Sequence, residues 1–425
     1  MISADCVVSN CRQLITCRGP LPKRREALQD LGIIEEGWIA SSQGEIVFIG
    51  KGEGFREKVQ AEPSATWIDG RDGIALPGLI DCHTHLPFAG NREYEFLLRL
   101  KGRAYQQLAA QGMGIQTTVK ATRAASKDEL IALCKQRLNQ MLLTGTTTAE
   151  AKSGYGLNLE DEVKQLEALA ALRGTHPVDV IPTFMGAHEV PPERKDDKSG
   201  YIDFIISRIL PEVAARGLAE FFDIFCEPNV FNLEETKKLA EAARAAGLGV
   251  KIHADEWTSI GGTQYAAESG AVSAEHLINI TDDGIRKLAS SGTAAILLPG
   301  VSFFLMLDEK APARKLIDAG AIVALASDFN PGSSMLSSML LVLQLGVYTL
   351  RLTIEEAINA CTGNAAYAIR RDARIGSLEV GKRMDLLICD VPNYPSLVYQ
   401  LGTNPVRHII KNGRVVVRAG KIQPL

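Results

Sequence analysis

Seven histidines occur in 425 residues, and their spacing carries the first chemical signal. His83 and His85 stand in Asp81-Cys-His-Thr-His. In an extended segment, side chains two residues apart point the same way, so both imidazoles can reach one ion. His253, in Lys251-Ile-His-Ala-Asp-Glu, and Asp328, in Ala326-Ser-Asp-Phe-Asn, offer a further ring nitrogen and a carboxylate oxygen. Three neutral imidazoles and one carboxylate suit a borderline divalent metal, zinc or iron, with an open position for water.

Groups able to move protons lie beside these candidates. Glu256 follows His253 by three residues, and His276 closes Ser273-Ala-Glu-His. A carboxylate near an activated water is what general-base chemistry requires, and a histidine that is not a ligand can polarise a carbonyl or hold charge. His188, in Gly186-Ala-His-Glu, is a further candidate of that kind, whereas His176 and His408 read as structural. Cys82 lies between Asp81 and His83, and strand alternation turns its thiol away from both histidines. No phosphate-binding Walker loop, Gly-x-Gly-x-x-Gly fingerprint or Gly-x-Ser-x-Gly elbow is present.

The elements that must position these groups are apolar runs alternating with helical stretches such as 127–143 and 233–246. The runs fall at 75–81, 146–151, 179–184, 221–225, 249–252, 271–274, 294–298 and 321–326. Eight βα units predict an α/β fold, a closed (β/α)₈ barrel over 76–376. His83 and His85, His253 and Asp328 then follow strands one, five and eight, whose ends open onto one mouth. Short strands before residue 75, at 37–41, 44–50 and 66–70, and after residue 377, at 385–389 and 408–417, predict that residues 1–75 and 377–425 pair into a small β-sandwich. Asn412-Gly413 is a hairpin-turn signal.

Composition narrows the function classes. The chain has 46 Lys and Arg against 50 Asp and Glu, a net charge of −4, which offers no excess of positive charge for nucleic-acid phosphates. The most apolar stretch, 293–307, is interrupted by Pro299 and Gly300 and falls short of the roughly 20 residues a spanning helix needs, so it reads as buried core. Residues 1–17 mix polar and apolar positions without the apolar region of a secretory signal, so a cytoplasmic location is expected. The eight cysteines form no Cys-x-x-Cys pair and fit buried thiols in a reducing compartment.

Three segments together are diagnostic: Pro77-Gly-Leu-Ile-Asp-Cys-His-Thr-His, the late Ser327-Asp, and the closing Gly376-Ser-Leu-Glu-Val-Gly-Lys-Arg-Met-Asp-Leu. They resemble the amidohydrolase superfamily over nearly the whole chain. Within it, Phe88-Ala-Gly-Asn-Arg-Glu-Tyr-Glu, Lys152-Ser-Gly-Tyr-Gly-Leu, Gly186-Ala-His-Glu, His253-Ala-Asp-Glu and Ser327-Asp-Phe-Asn-Pro-Gly-Ser-Ser are similar to the imidazolonepropionase branch. The resemblance implies metal ligation by His83, His85, His253 and Asp328, with catalytic roles for Glu256, His276 and Asp328. It also implies substrate contacts from Arg92, Tyr155, His188, Glu256, Asn330, Gly332 and Ser333. The implied reaction is metal-dependent hydrolysis of the cyclic amide of 4-imidazolone-5-propanoate to N-formimidoyl-L-glutamate, in histidine degradation, by a homodimer.

Relatives that bridge two ions do so with a modified lysine after the fourth strand. Here that strand runs into Asp223-Ile-Phe-Cys-Glu-Pro, which favours one ion and leaves Cys226 or Glu227 as the candidates for a second. Arg92 supplies a planar fork that can take a propionate carboxylate through two charge-assisted hydrogen bonds. Two other readings differ in class. A deaminase of a heteroaromatic base would share the His253-x-x-Glu256 spacing but release ammonia. A non-catalytic scaffold would be expected to have lost ligand positions that are all filled here.

Overall fold

In the computed structural model, which describes residues 1–102 and 113–424, the chain begins with five strands that lie outside the barrel. These are β1 (Ile2–Leu14), β2 (Ile34–Ser42), β3 (Glu45–Lys51), β4 (Val59–Asp69) and β5 (Ile74–Pro77). Eight parallel strands follow: β6 (Leu79–Asp81), β7 (Thr146–Lys152), β8 (Asp179–Ala187), β9 (Phe221–Cys226), β10 (Gly249–Ala254), β11 (Ser273–His276), β12 (Ala294–Leu297) and β13 (Ile322–Leu325). They lie side by side in chain order, each flanked by helices, in the architecture of a (β/α)₈ barrel. Strands such as Ile-Val-Ala-Leu in β13 are buried at every position, as a strand covered on both faces must be.

The helices expected at 127–143 and 233–246 form as Lys127–Leu143 and Leu233–Ala245. Each starts at a capping box, Ser126 with Glu129 and Asn232 with Glu235, where side chains satisfy backbone N–H groups that the first turn leaves unpaired.

The chain then returns to the outer sheet as β14 (Leu386–Cys389), β15 (Val406–Lys411), β16 (Arg414–Arg418) and β17 (Lys421–Ile422). β14 pairs antiparallel with β5, so both termini contribute to one nine-stranded sheet. Asn412 and Gly413 turn β15 into β16, both with positive φ, at 50° and 74°.

Three details depart from the sequence expectations. The first run, 75–81, is two strands: Ile74–Pro77 belongs to the outer sheet and Leu79–Asp81 to the barrel. Gly78 lies between them, where a Cβ would come within 2.3 Å of Thr147 Oγ1. The first strand, Ile2–Leu14, covers a segment whose polar content concealed it. Within 293–307, β12 is buried, but the helix Pro299–Leu305 leaves Phe303 62% exposed and Met306, which follows it, 58% exposed.

The barrel closes between its first and last strands just beyond their ends. Asp328 N–H donates to His83 C=O at 3.1 Å and His85 N–H donates to Phe329 C=O at 3.0 Å. Lys411, buried at the end of β15, spans Asp179 at the start of β8 and Asp385 beside β14, tying sheet to barrel. All eight cysteines are buried and unpaired, and among the described residues no helix is long and apolar enough to cross a membrane.

Candidate metal centre and substrate cleft

His83 and His85 leave β6 at the seam, His253 sits near the end of β10, and Asp328 follows β13. Ligand atoms of His83, His85 and His253 all lie within 4.8 Å of one another. Asp328 Oδ1 lies 3.1 Å from His83 Nε2 and 3.3 Å from His85 Nε2. Bonds of about 2.0–2.1 Å in a tetrahedron place neighbouring donor atoms about 3.3 Å apart, so these separations fit a shared divalent ion. His83 Nε2, His253 Nε2 and Asp328 Oδ1 are buried and have no hydrogen-bond partner. A buried polar atom left so is costly, and coordination would satisfy it.

The rear nitrogens of two rings are anchored. His253 Nδ1 lies 2.9 Å from Asp223 Oδ1 and His83 Nδ1 lies 2.6 Å from Glu275 Oε2. With Nδ1–H donating to Asp223, the His253 ring presents Nε2 forward, the arrangement that carboxylates behind metal-binding histidines enforce, while the Glu275 carboxylate stands behind His83 as a close ion partner. Burial opposes charge on His83, yet the Glu275 carboxylate beside it pushes the ring up to about 9. The negative potential that favours a proton there equally favours a cation.

Asp328 itself is held from the loop that follows it. Asn330 Nδ2 donates to Asp328 O and Oδ2, each at 2.8 Å, and Ser333 Oγ donates to Oδ2 at 3.2 Å, which aims Oδ1 at the histidines. Asn330 Oδ1 in turn accepts from the N–H groups of Gly332 and Ser333. Asp328 and His276 take left-handed φ values of 50° and 74°. Non-glycine residues hold such backbone at a cost of order 1–3 kcal/mol each, and such positions cluster at functional sites.

Glu256 and His276 meet at the rim, with Oε2 and Nε2 3.6 Å apart and both residues buried. Burial holds the Glu256 carboxyl well above the ordinary carboxylate range, and Asp328 and Glu227 reinforce the shift. Burial also drives His276 down to about 3 and His188 down to about 3, so both rings are neutral near pH 7. Asn279 Nδ2 donates to Glu256 C=O at 2.7 Å, and Glu227 Oε1 accepts from Trp257 and Thr258 N–H, which fixes the loop carrying Glu256. His188 stacks on His85 with centroids 4.9 Å apart, its Nδ1 3.0 Å from Gly154 C=O. Tyr155 lies against both rings, 5.2 Å from His188 and 6.0 Å from His85.

Arg92 directly precedes the helix Glu93–Leu100, and its Nε and Nη2 reach Glu95 Oε2 at 2.8 and 2.7 Å. Its guanidinium lies over Gly332, where a Cβ would come within 2.2 Å of Nη1. A side chain at 332 would displace the fork from this position. The structure thus places the Arg92 guanidinium against the loop that holds Asp328.

Sequence reasoning missed a second layer beneath the histidines: Glu150, Lys152, Asp223, Lys251 and Glu275, all fully buried. Glu150 and Lys152 share one face of β7, and Lys251 shares the face of His253 on β10. Charged residues two apart inside otherwise apolar runs were the available signal. Cys226 and Glu227 join none of the convergent ligand groups among the described residues; Asp223, His253 and Glu275 form one. The packed reading of Cys82 agrees with its burial and its contact with Leu325 C=O at 3.8 Å.

The amidohydrolase family model matches residues 74–416, from β5 through the barrel into β16. The chain belongs to the amidohydrolase family. Within that family it groups with imidazolonepropionases. That of Geobacillus sp. (strain WCH70) is 48% identical over 418 residues, covering 98% of each chain. That of Symbiobacterium thermophilum is 46% identical over 424 residues, covering 100% of both. Among solved structures, a zinc-bound adenosine deaminase from Xanthomonas campestris superposes with a TM-score of 0.70, over 100% of this chain and 95% of that one. At 18% identity, that likeness speaks for the fold alone.

Proposed function

We propose that this chain hydrolyses the cyclic amide bond of 4-imidazolone-5-propanoate to give N-formimidoyl-L-glutamate, a step of histidine degradation. The observation that carries the reading is the buried cluster of His83, His85 and His253, with Asp328 within 3.3 Å of the first two and the Glu256–His276 pair at its rim, in a chain 46–48% identical to imidazolonepropionases. These four residues would hold one divalent ion, zinc or iron, since mixed nitrogen and oxygen donors accept either. A bound ion supplies Lewis acidity, which polarises a carbonyl and makes water a stronger nucleophile.

The chain's own residues do the rest. Glu256 takes a proton from the water that adds to the ring carbonyl carbon. The C–N bond then breaks, and Glu256 passes that proton to the departing ring nitrogen, which stays attached to the product through its other bond. A carboxyl with a raised pKa suits both halves of that transfer. His276, neutral, donates an N–H toward the carbonyl oxygen, and His188 and Tyr155 position the ring. Asp328 is the other group placed to accept a proton. Arg92 takes the propionate carboxylate, aided by donors from Asn330, Gly332 and Ser333. The reading carries with it a small substrate with a carboxylate tail, a homodimer and a cytoplasmic location.

The test is to incubate the purified protein with 4-imidazolone-5-propanoate and follow loss of the ring's ultraviolet absorbance together with free ammonia. Loss of absorbance without ammonia is expected. Ammonia release in step with substrate loss would instead make the chain a deaminase, and no turnover of the intact protein would overturn the assignment.

A further inference from the structure

Lys152 is fully buried under the ligand histidines, and its ammonium is ringed by carboxylates. Nζ lies 2.7 Å from Asp223 Oδ2, 2.8 Å from Glu150 Oε1 and 3.2 Å from Glu275 Oε2. Two of these partners, Asp223 and Glu275, converge with His253 into a trio whose ligand atoms lie within 4.8 Å of one another. They are also the carboxylates behind His253 and His83. A buried cluster of this kind needs a cation to offset its desolvated charge, and either a metal ion or an ammonium can serve. Lys251 does not fill that role. It lies 3.0 Å from the other Glu275 oxygen and 4.0 Å from Glu150 Oε1 and donates to Cys82 C=O, and among the described residues it makes no ion pair with Asp223.

We propose that Lys152 acts as a built-in second cation: its ammonium takes the place a second divalent ion would occupy between Asp223, His253 and Glu275, and so limits the centre to one ion. Asp223 is thereby kept as the hydrogen-bond acceptor of His253 and Glu275 as the ion partner of His83, and both are withheld from direct coordination. Lys152 is a positioning residue in this account. The inference rests on the ligand assignment of the preceding section.

The test counts ions. Lys152→Met alone would leave a buried excess of negative charge, so the variant of choice is Lys152→Met with Glu150→Gln, which removes one charge of each sign and keeps the whole trio. Its control is Lys251→Met with Glu150→Gln, which makes the same change of charge but leaves Lys152 in place. Each protein is loaded with a tenfold excess of Zn²⁺, passed through gel filtration, and measured by elemental analysis and native mass spectrometry. Expected contents are one ion per chain for the wild type and the Lys251 control, and two for the Lys152 variant. One ion in a folded Lys152 variant overturns the proposal, as do two in the control. Two ions in the wild type overturn it whatever the variants do. A wild type that holds none refutes the ligand assignment itself, and the proposal falls with it.

Discussion

Asp223 Oδ1 meets His253 Nδ1 at 2.9 Å, so a carboxylate on β9 fixes which nitrogen of a β10 histidine faces the centre. Partners of this kind typically govern metal affinity by 10- to 100-fold. Asp223→Asn keeps the oxygen but not the charge, and should weaken metal binding by about that factor in a competition titration with a chelator. His253→Ala should abolish stoichiometric binding and activity together. Full metal content in His253→Ala would remove that histidine from the ligand set.

Glu256→Gln is expected to keep its metal and lose about 10²- to 10⁴-fold in kcat, the usual contribution of a general acid–base group. Steady-state kinetics beside elemental analysis separate this outcome from loss of the ion. Near-full turnover in the variant would move the proton transfer to His276 or Asp328.

The fork of Arg92, braced by Glu95 and seated over Gly332, should discriminate by charge. Arg92→Ala should cost about 1.5–3 kcal/mol with the natural substrate, the scale of a hydrogen bond to a charged group, or ~10- to 150-fold in kcat/KM. With an analogue lacking the carboxylate, the loss should be small. Arg92→Lys should fall between the two proteins, retaining the charge without the planar fork. Equal discrimination between the two compounds by wild type and Arg92→Ala would take Arg92 out of tail recognition.

His176, far from the chemistry, supplies a pH effect on stability. Its Nδ1 accepts from Val178 N–H at 3.1 Å and its Nε2 lies 3.0 Å from Asn139 Oδ1, a pairing that only the neutral ring can make. Burial lowers its pKa from 6.5 to about 4. A histidine depressed on folding contributes stability fully above the unfolded pKa and loses it as pH falls through the folded one. Urea midpoints at pH 7, 5.5 and 4.5 should therefore fall more steeply for the wild type than for His176→Asn. Parallel slopes would contradict a buried neutral ring.

How much of this was legible follows from where each residue lies. The barrel strands were readable because burial on both faces makes them continuous apolar runs, and the ligands because they follow those runs directly. Ile2–Leu14 was hidden since Ser3, Asp5, Arg12 and Gln13 interrupt its apolar positions in a strand that packs only partly against the core. Lys152 and its partners were missed for the opposite reason. Alternation assigns a charged residue in a strand to solvent, but the inner face of a barrel beneath a cation site is itself polar. The brace of Asn330 on Asp328 depends on a loop conformation that no periodicity encodes.

The seam between β6 and β13 gives the ion a mechanical meaning. The backbone bonds that close the barrel there come from His83, His85, Asp328 and Phe329, and three of those four are proposed ligands. Occupancy and closure are therefore linked equilibria: whatever favours one must favour the other by the same free energy. At a free-ion concentration 100 times Kd this amounts to about 2.7 kcal/mol. That stabilisation bears on the seam, where β6 and β13 form no ladder of their own, so the amides of His85 and Asp328 should exchange with deuterium far more slowly in the loaded protein. An ion held by these residues would double as a clasp, and stripping it would loosen the scaffold at the point where the chemistry requires it to be rigid.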